Sequence, residues 1–190
     1  MDGQGKFKYI DNVGHCIPVT GKISIPDENV KGLSVSGKVY FKNLDLNKGN
    51  FKGKIKGINL RGKSIVINGN IDLCEIQAGQ LNICFSEISQ INKIQANYVS
   101  VLPDESVPPE KMVSLVEKVI GLKVEGKRIE NIILTVDDIE GDTVIIKNCH
   151  VHTIRCRMCK ILEGCTVDIV FYKEKLDVHL DSFVNQQIKQ

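Results

Sequence analysis

A glycine set between alternating apolar and polar residues returns at one fixed interval of 16 residues. It appears in "VTGKIS" from Val19, "VSGKVY" from Val35, "FKGKIK" from Phe51 and "INGNID" from Ile67. The zero column is Gly21, Gly37, Gly53 and Gly69. Two residues before it stand Val19, Val35, Phe51 and Ile67, and two after it stand Ile23, Val39, Ile55 and Ile71. Alternation with a period of two is the signature of strands, not helix. A repeat this short cannot bury an inner face alone, but stacked copies can share one core. The spacing therefore predicts an all-β chain wound as a β-solenoid, one coil per 16 residues.

The geometry closes. At ~3.3 Å per residue, one coil has a perimeter of about 53 Å, or three sides of about 17 Å. The glycine column predicts a recurrent bend at which a side chain would be crowded or φ is positive. A hexapeptide acyltransferase helix needs coils of about 18 residues and is out of register with 16. The pectinase-like helices carry an acidic catalytic cluster that the sequence lacks.

Further along, the register continues with Leu81 and Ile83. Phe85 then takes the glycine's place, and the next aliphatic position shifts to Ile88. Near the C-terminus "NCHVH" (Asn148 to His152) lies 16 residues before "GCTVD" (Gly164 to Asp168). That spacing sets Ile145 and Ile146 on Ile161 and Leu162, Val151 on Val167, Val178 on Leu162 and Phe183 on Val167. The expectation is one domain, 1–190, of about eight coils. N-terminal coils span 15–101, an inserted loop and helix 102–128, C-terminal coils 138–184 and a tail 185–190. The helix is read from "EKMVSLVEKVIG", with Met112, Val116, Val119 and Ile120 on one stripe between Pro109 and Gly121.

Composition narrows the function. Aromatics are 5% and Trp is absent, so burial rests on Val, Ile and Leu. The net charge of +2 does not indicate a nucleic-acid binder. The charge is divided, with +5 over 1–100 and −3 over 101–190, an asymmetry suited to head-to-tail association. Seven Cys and an opening "MDGQGKFKYIDNVGH" without an apolar run fit reduced thiols in a cytoplasmic protein.

Three stretches could carry chemistry. "HVHTIRCRMC" offers His150, His152, Cys156 and Cys159 as candidate metal ligands, at a spacing that matches no common zinc motif. Cys149 and Cys165 fall in one repeat column and fit small hydrophobes stacked in a core. His150 and His152 alternate with Val151 and should face outward, and Cys156 and Cys159 lack the strand-to-helix turn of a redox motif. "GINLRGKS", Gly57 to Ser64, matches a phosphate-loop string, but a β-branched strand follows where the phosphate site needs a helix N-terminus. Lys22, Lys38 and Lys54 follow the glycines and predict a basic ladder, a solvated face or a dock for an acidic partner or anionic membrane surface. No catalytic constellation or cofactor fingerprint stands out. The expectation is no enzyme, no metal, no cofactor, no nucleotide and no nucleic acid.

The coils "SGKV", "KGKI" and "NGNI", together with the tail, resemble the bactofilins, the bacterial polymer-forming cytoskeletal proteins. The tail is similar to a Firmicutes-type subgroup in which a run like V-I-I-G-x-G-C-x-I-D-x-V-x-Y ends the solenoid. Ile161, Gly164, Cys165, Val167, Asp168, Val170 and Tyr172 match it. The resemblance covers about 20–100 and 138–184. It implies a right-handed β-helix that assembles end to end, with itself or a paralogous bactofilin, into nonpolar filaments without nucleotide. It also implies scaffolding in cell shape, envelope growth, motility or sporulation, often peripheral at the inner membrane face. "MDGQGKFKYI" and the inserted helix depart from the family pattern. The alternative is a soluble solenoid binding module that uses the lysine ladder or the inserted helix. A third reading is a metal- or ligand-dependent enzyme built around His150 to Cys159.

Overall fold

The computed structural model describes residues 19–25, 28–104 and 133–190, with side chains from residue 32 onward. Every element in them is a strand: β1 (Val19–Ile25), β2 (Glu28–Phe85), β3 (Ser89–Pro103), β4 (Leu134–Ile146), β5 (Cys149–Ile161), β6 (Thr166–Val178) and β7 (Phe183–Lys189). Successive strands pair in parallel and in chain order. With 58 residues, β2 itself winds through several repeats. The architecture is an all-β solenoid.

The fixed interval holds where the glycines are. Val19 pairs with Val35 and Ile23 with Val39, both 16 residues on. Within β2, Asn59 Nδ2 donates to Asn43 Oδ1 at 2.6 Å, also across 16 residues. Inside, Val35, Val39, Phe51, Ile55, Ile67 and Ile71 are at most 2% exposed. One column continues from Leu73 through Ile91, Val136, Val151 and Val167 to Val184. A second runs from Ile76 through Ile94, Ile139 and Ile154 to Val170. Full burial of such a side chain is worth about 1.5–3 kcal/mol, a gain that exists only once coils stack.

The glycine column follows from two independent constraints. Gly37, Gly53 and Gly69 have φ of 128°, 118° and 138°, which L side chains rarely adopt. A Cβ on Gly53 would also strike the Gly37 carbonyl oxygen, and one on Gly69 the Gly53 carbonyl oxygen. Gly53 and Gly69 thus each make room for the carbonyl of the coil before.

Beyond Gly69 the corners change length. Leu73 pairs with Ile91, an offset of 18. Ile88 is therefore not the inward residue that the 16-residue pattern expects: it is 76% exposed on the longer corner. Ser89 lies opposite Ile71 instead, 3% exposed. Its Oγ accepts the Ile71 N–H at 3.0 Å and donates to the Glu87 carbonyl at 2.9 Å. Phe85 stays buried and stacks on Pro103. The same device recurs at the last corner, where the offset is 17. Ser182 Oγ accepts the Cys165 N–H at 3.0 Å and donates to the Leu162 carbonyl at 2.5 Å. Where a corner gains residues, a serine hydroxyl supplies the ladder bond that the displaced backbone cannot.

The C-terminal coils correct several expected pairings. β4 to β5 advances by 15, so Ile146 pairs with Ile161 and Ile145 with Lys160. β5 to β6 begins at 16, with Val151 on Val167 as expected, then shifts by one between Cys156 and Met158. Val178 consequently pairs with Ile161, not Leu162. Phe183 pairs with Thr166, and Val184 takes the place on Val167. At the corners, Asn148 (φ 51°) and Gly164 (φ 73°) hold the left-handed conformation that Asn and Gly tolerate best.

Boundaries move too. β3 runs on to Pro103 and the strands resume at Leu134, earlier than residue 138. Residues 185–189 belong to β7 and are not a tail. The inserted helix falls on 105–132, outside the described residues, so neither it nor a total of eight coils is part of what they show. Among the described residues no helix is long and apolar enough to cross a membrane.

Candidate functional site

The coil places outward side chains in axial columns at ~4.8 Å spacing, and each predicted site is one such column or a piece of one. In the basic ladder Lys22 is in register with Lys38, and Lys38 and Lys54 are exposed. Like charges at this spacing repel unless they are solvated. The ladder stops at Asn70, whose Nδ2 donates to the Ile88 carbonyl at 2.6 Å. Beside it, Lys56 Nζ meets Asp72 Oδ2 at 2.6 Å. The hydrogen bond and the charge of that carboxylate raise the Lys56 pKa above its ordinary value.

The His/Cys stretch does not converge. Strand alternation in β5 turns His150 and His152 outward, whereas Cys156 and Cys159 lie inside at 8% and 3% exposure. His152 Nδ1 is held 2.7 Å from Asp168 Oδ2. Among the described residues, no three His, Cys, Asp or Glu side chains are grouped to hold a metal ion. The inner thiols act as small apolar groups. Cys149 and Cys165 are 1% and 2% exposed, and Cys149 Sγ donates to the Lys147 carbonyl at 3.2 Å. Burial, then the neighbouring Cys165 thiol, pushes Cys149 well above the ordinary thiol range. The bond from Cys156, then burial, does the same for Cys159.

Gly57 to Ser64 lies wholly inside β2, so the strand, tight loop and helix of a phosphate site do not form there. Its glycines serve packing. A Cβ on Gly57 would strike the Phe41 ring, and one on Gly62 would lie 2.8 Å from the Leu46 carbonyl oxygen.

One feature was not predicted: an axial trough of about 820 Å³. Along it run small residues, Gly62, Ala78, Ala96, Gly141 and Cys156. Ala78 pairs with Ala96 and Gly141 with Cys156, and a Cβ on Gly141 would strike the Ala96 carbonyl oxygen. One wall is the column Gln77, Gln95, Glu140 and Arg155, which pair in that order. Gln77 Nε2 approaches Gln95 Oε1 at 3.3 Å, and Gln95 Nε2 donates to Glu140 Oε2 at 3.0 Å. Arg155 donates to Asp138 Oδ1 at 3.1 Å and lies over the Phe171 ring, 5.3 Å from its centroid. The other wall carries Asn97, Asp142, Arg157 and Lys173. The small-residue column has no constant interval, because offsets of 18, 45 and 15 separate its members beyond Ala78. Only the local pattern "QAG" at Gln77 and "QAN" at Gln95 hints at it.

No family model, no curated protein and no solved structure matches this chain.

Proposed function

We propose that the chain is a non-enzymatic, bactofilin-like scaffold that assembles end to end through the termini of its solenoid, without nucleotide. On this reading the winding is right-handed, as parallel crossovers almost always are. The chain carries about eight coils, with the helix read from Glu110 to Gly121 laid on them. It works in the cytoplasm, peripherally at the inner membrane face, in cell shape, envelope, motility or sporulation processes. Its partner is a second copy or a paralogous bactofilin.

The observation that supports this reading most is the last coil. β7 closes the strand order and pairs with β6 on one side only. Among the described residues no strand pairs with its other edge, and a free parallel edge is a template for strand addition. Around it Leu180, Phe183 and Ile188 are 98%, 61% and 40% exposed, an apolar rim next to partly buried Val184. Electron micrographs of purified protein across salt concentrations test it. Filaments that Phe183→Asp shortens without loss of β-structure support the reading. Blank grids and a strictly monomeric sedimentation profile at high concentration contradict it.

A second reading rests on the lysine ladder: a solenoid binding module that docks an acidic partner or an anionic membrane surface through Lys22, Lys38 and Lys54. Co-sedimentation with anionic vesicles that charge reversal at Lys38 and Lys54 abolishes supports it. Co-sedimentation indifferent to lipid charge contradicts it.

A further inference from the structure

We infer that the axial trough is a binding site for an extended peptide whose charges run acidic, basic, acidic along its length. The trough is an open groove of about 820 Å³ with a mixed polar and apolar lining that runs across several coils. Its floor of Gly62, Ala78, Ala96 and Gly141 brings the backbone close to the surface, so an extended chain could lie along it.

The walls divide into groups bonded to a neighbouring side chain and groups exposed to water alone. Gln77, Gln95, Glu140 and Arg155 are engaged with one another or with Asp138. Arg157 is engaged with Glu174. Among the described residues, Arg61, Asn97, Asp142 and Lys173 have no side-chain hydrogen bond or ion pair, although all four line the trough. These four are the groups open to a ligand.

Their order sets its charge pattern. Arg61 precedes Gln77 by one coil, and Gln77, Gln95 and Glu140 then follow one another in register. Asp142, two residues past Glu140 and on the other wall, is thus three coil steps from Arg61, about 14 Å measured along the axis. Lys173 is two steps beyond Asp142, about 10 Å. At ~3.3 Å per residue, a peptide would place an acid on Arg61, a base about four residues later on Asp142, and an acid about three residues after that on Lys173. Asn97 faces the intervening backbone.

The same walls disfavour other polymers. Arg61, Arg155, Arg157 and Lys173 would attract phosphates, but Glu140 and Asp142 interrupt them, so a continuous phosphate chain meets repulsion midway. No lining residue is aromatic, and Arg155 covers the nearby Phe171 ring, which removes a stacking platform for sugars or bases.

The test is fluorescence anisotropy on the full chain with labelled Glu-Ser-Ser-Ser-Lys-Ser-Ser-Glu and its charge-reversed counterpart Lys-Ser-Ser-Ser-Glu-Ser-Ser-Lys. The first binds, and the reversed peptide binds at least about tenfold more weakly. Arg61→Glu and Lys173→Glu each weaken the first by a similar factor while circular dichroism stays unchanged. Asp142→Lys switches the preference at the central position from lysine to glutamate, a gain that a misfolded variant could not show. Equal binding of both peptides, no binding of either, an unchanged preference in Asp142→Lys, or binding of polyphosphate or oligosaccharide in place of peptide overturns the inference.

Discussion

Replacing Gly53 by alanine is the sharpest perturbation of this fold. The native φ of 118° is a conformation that alanine enters only with strain, about 1–3 kcal/mol. The new Cβ also strikes the Gly37 carbonyl oxygen of the coil below, and relief requires the two coils to part or twist. Forcing atoms into a packed interior costs about another 1–3 kcal/mol. The combined loss of roughly 2–6 kcal/mol is a large share of the 5–15 kcal/mol that holds a typical domain. For a chain of this size it lowers Tm by about 5–20 °C. Because a solenoid is a stack of neighbour contacts, the loss is local. Hydrogen exchange accelerates first around Gly37, Gly53 and Gly69, while β5 and β6 keep their protection. Gly32→Ala is the internal control: there the nearest atom to an added Cβ is the Lys48 carbonyl oxygen, at an ordinary 3.9 Å. Thermal denaturation with residue-resolved exchange reads both. If Gly53→Ala melts with Gly32→Ala, the glycine column is not a steric requirement and the reasoning fails.

Other expectations follow from single contacts. Ser89→Ala leaves the Ile71 N–H without its partner in a buried corner and destabilises by about 1–3 kcal/mol in urea titration, whereas Ser86→Ala, at a partly buried hydroxyl, has little effect. Lys147 Nζ lies 2.7 Å from Glu163, and that hydrogen bond, with a backbone bond, lowers the Glu163 pKa below its usual 4.5. A depressed acid stabilises above its unfolded pKa and loses that contribution as pH falls through the folded value. Glu163→Gln should therefore flatten the acid limb of the Tm–pH curve below about 4.5. Lys56 has the opposite sign: its raised pKa adds stability below 10.5 that fades only in stronger alkali, and Asp72→Asn removes that fading. A thiol reagent should label exposed Cys74 in the native protein, whereas buried Cys149 and Cys159 react only after unfolding.

Which parts of this architecture were legible depends on where a residue's role is local. Gly37, Gly53 and Gly69 announce themselves because each takes a positive φ, and Gly53 and Gly69 also abut a carbonyl oxygen of the coil before, so the interval of 16 appears as a column. The inward positions Val35, Phe51 and Ile67 follow from simple alternation around that column. Past Gly69 the corner lengthens by two residues, and hydrophobic pattern alone then favours Ile88 over Ser89 as the inward residue. The choice is reversed by hydrogen bonding: the corner needs an acceptor for the Ile71 N–H and a donor for the Glu87 carbonyl, which a hydroxyl provides and an isoleucine does not. Ser182 hides the final shift in the same way, so Phe183 rather than Val184 looks like the partner of Val167. The candidate site suffered most. A trough floored by Gly62, Ala78, Ala96, Gly141 and Cys156 has no period to detect, because every corner change and the 105–132 segment intervene between its members. The His/Cys stretch misleads for the complementary reason: neighbours in sequence, His152 and Cys156 fall on opposite sides of the strand wall.

Methyl–methyl nuclear Overhauser contacts in solution put the stacked core to the most direct test. Stacking at ~4.8 Å requires strong contacts from Ile55 to both Val39 and Ile71, and from Val151 to both Val136 and Val167. Contacts of Ile55 to methyls several coils away, with none to Val39 or Ile71, would mean that the chain does not wind once per repeat.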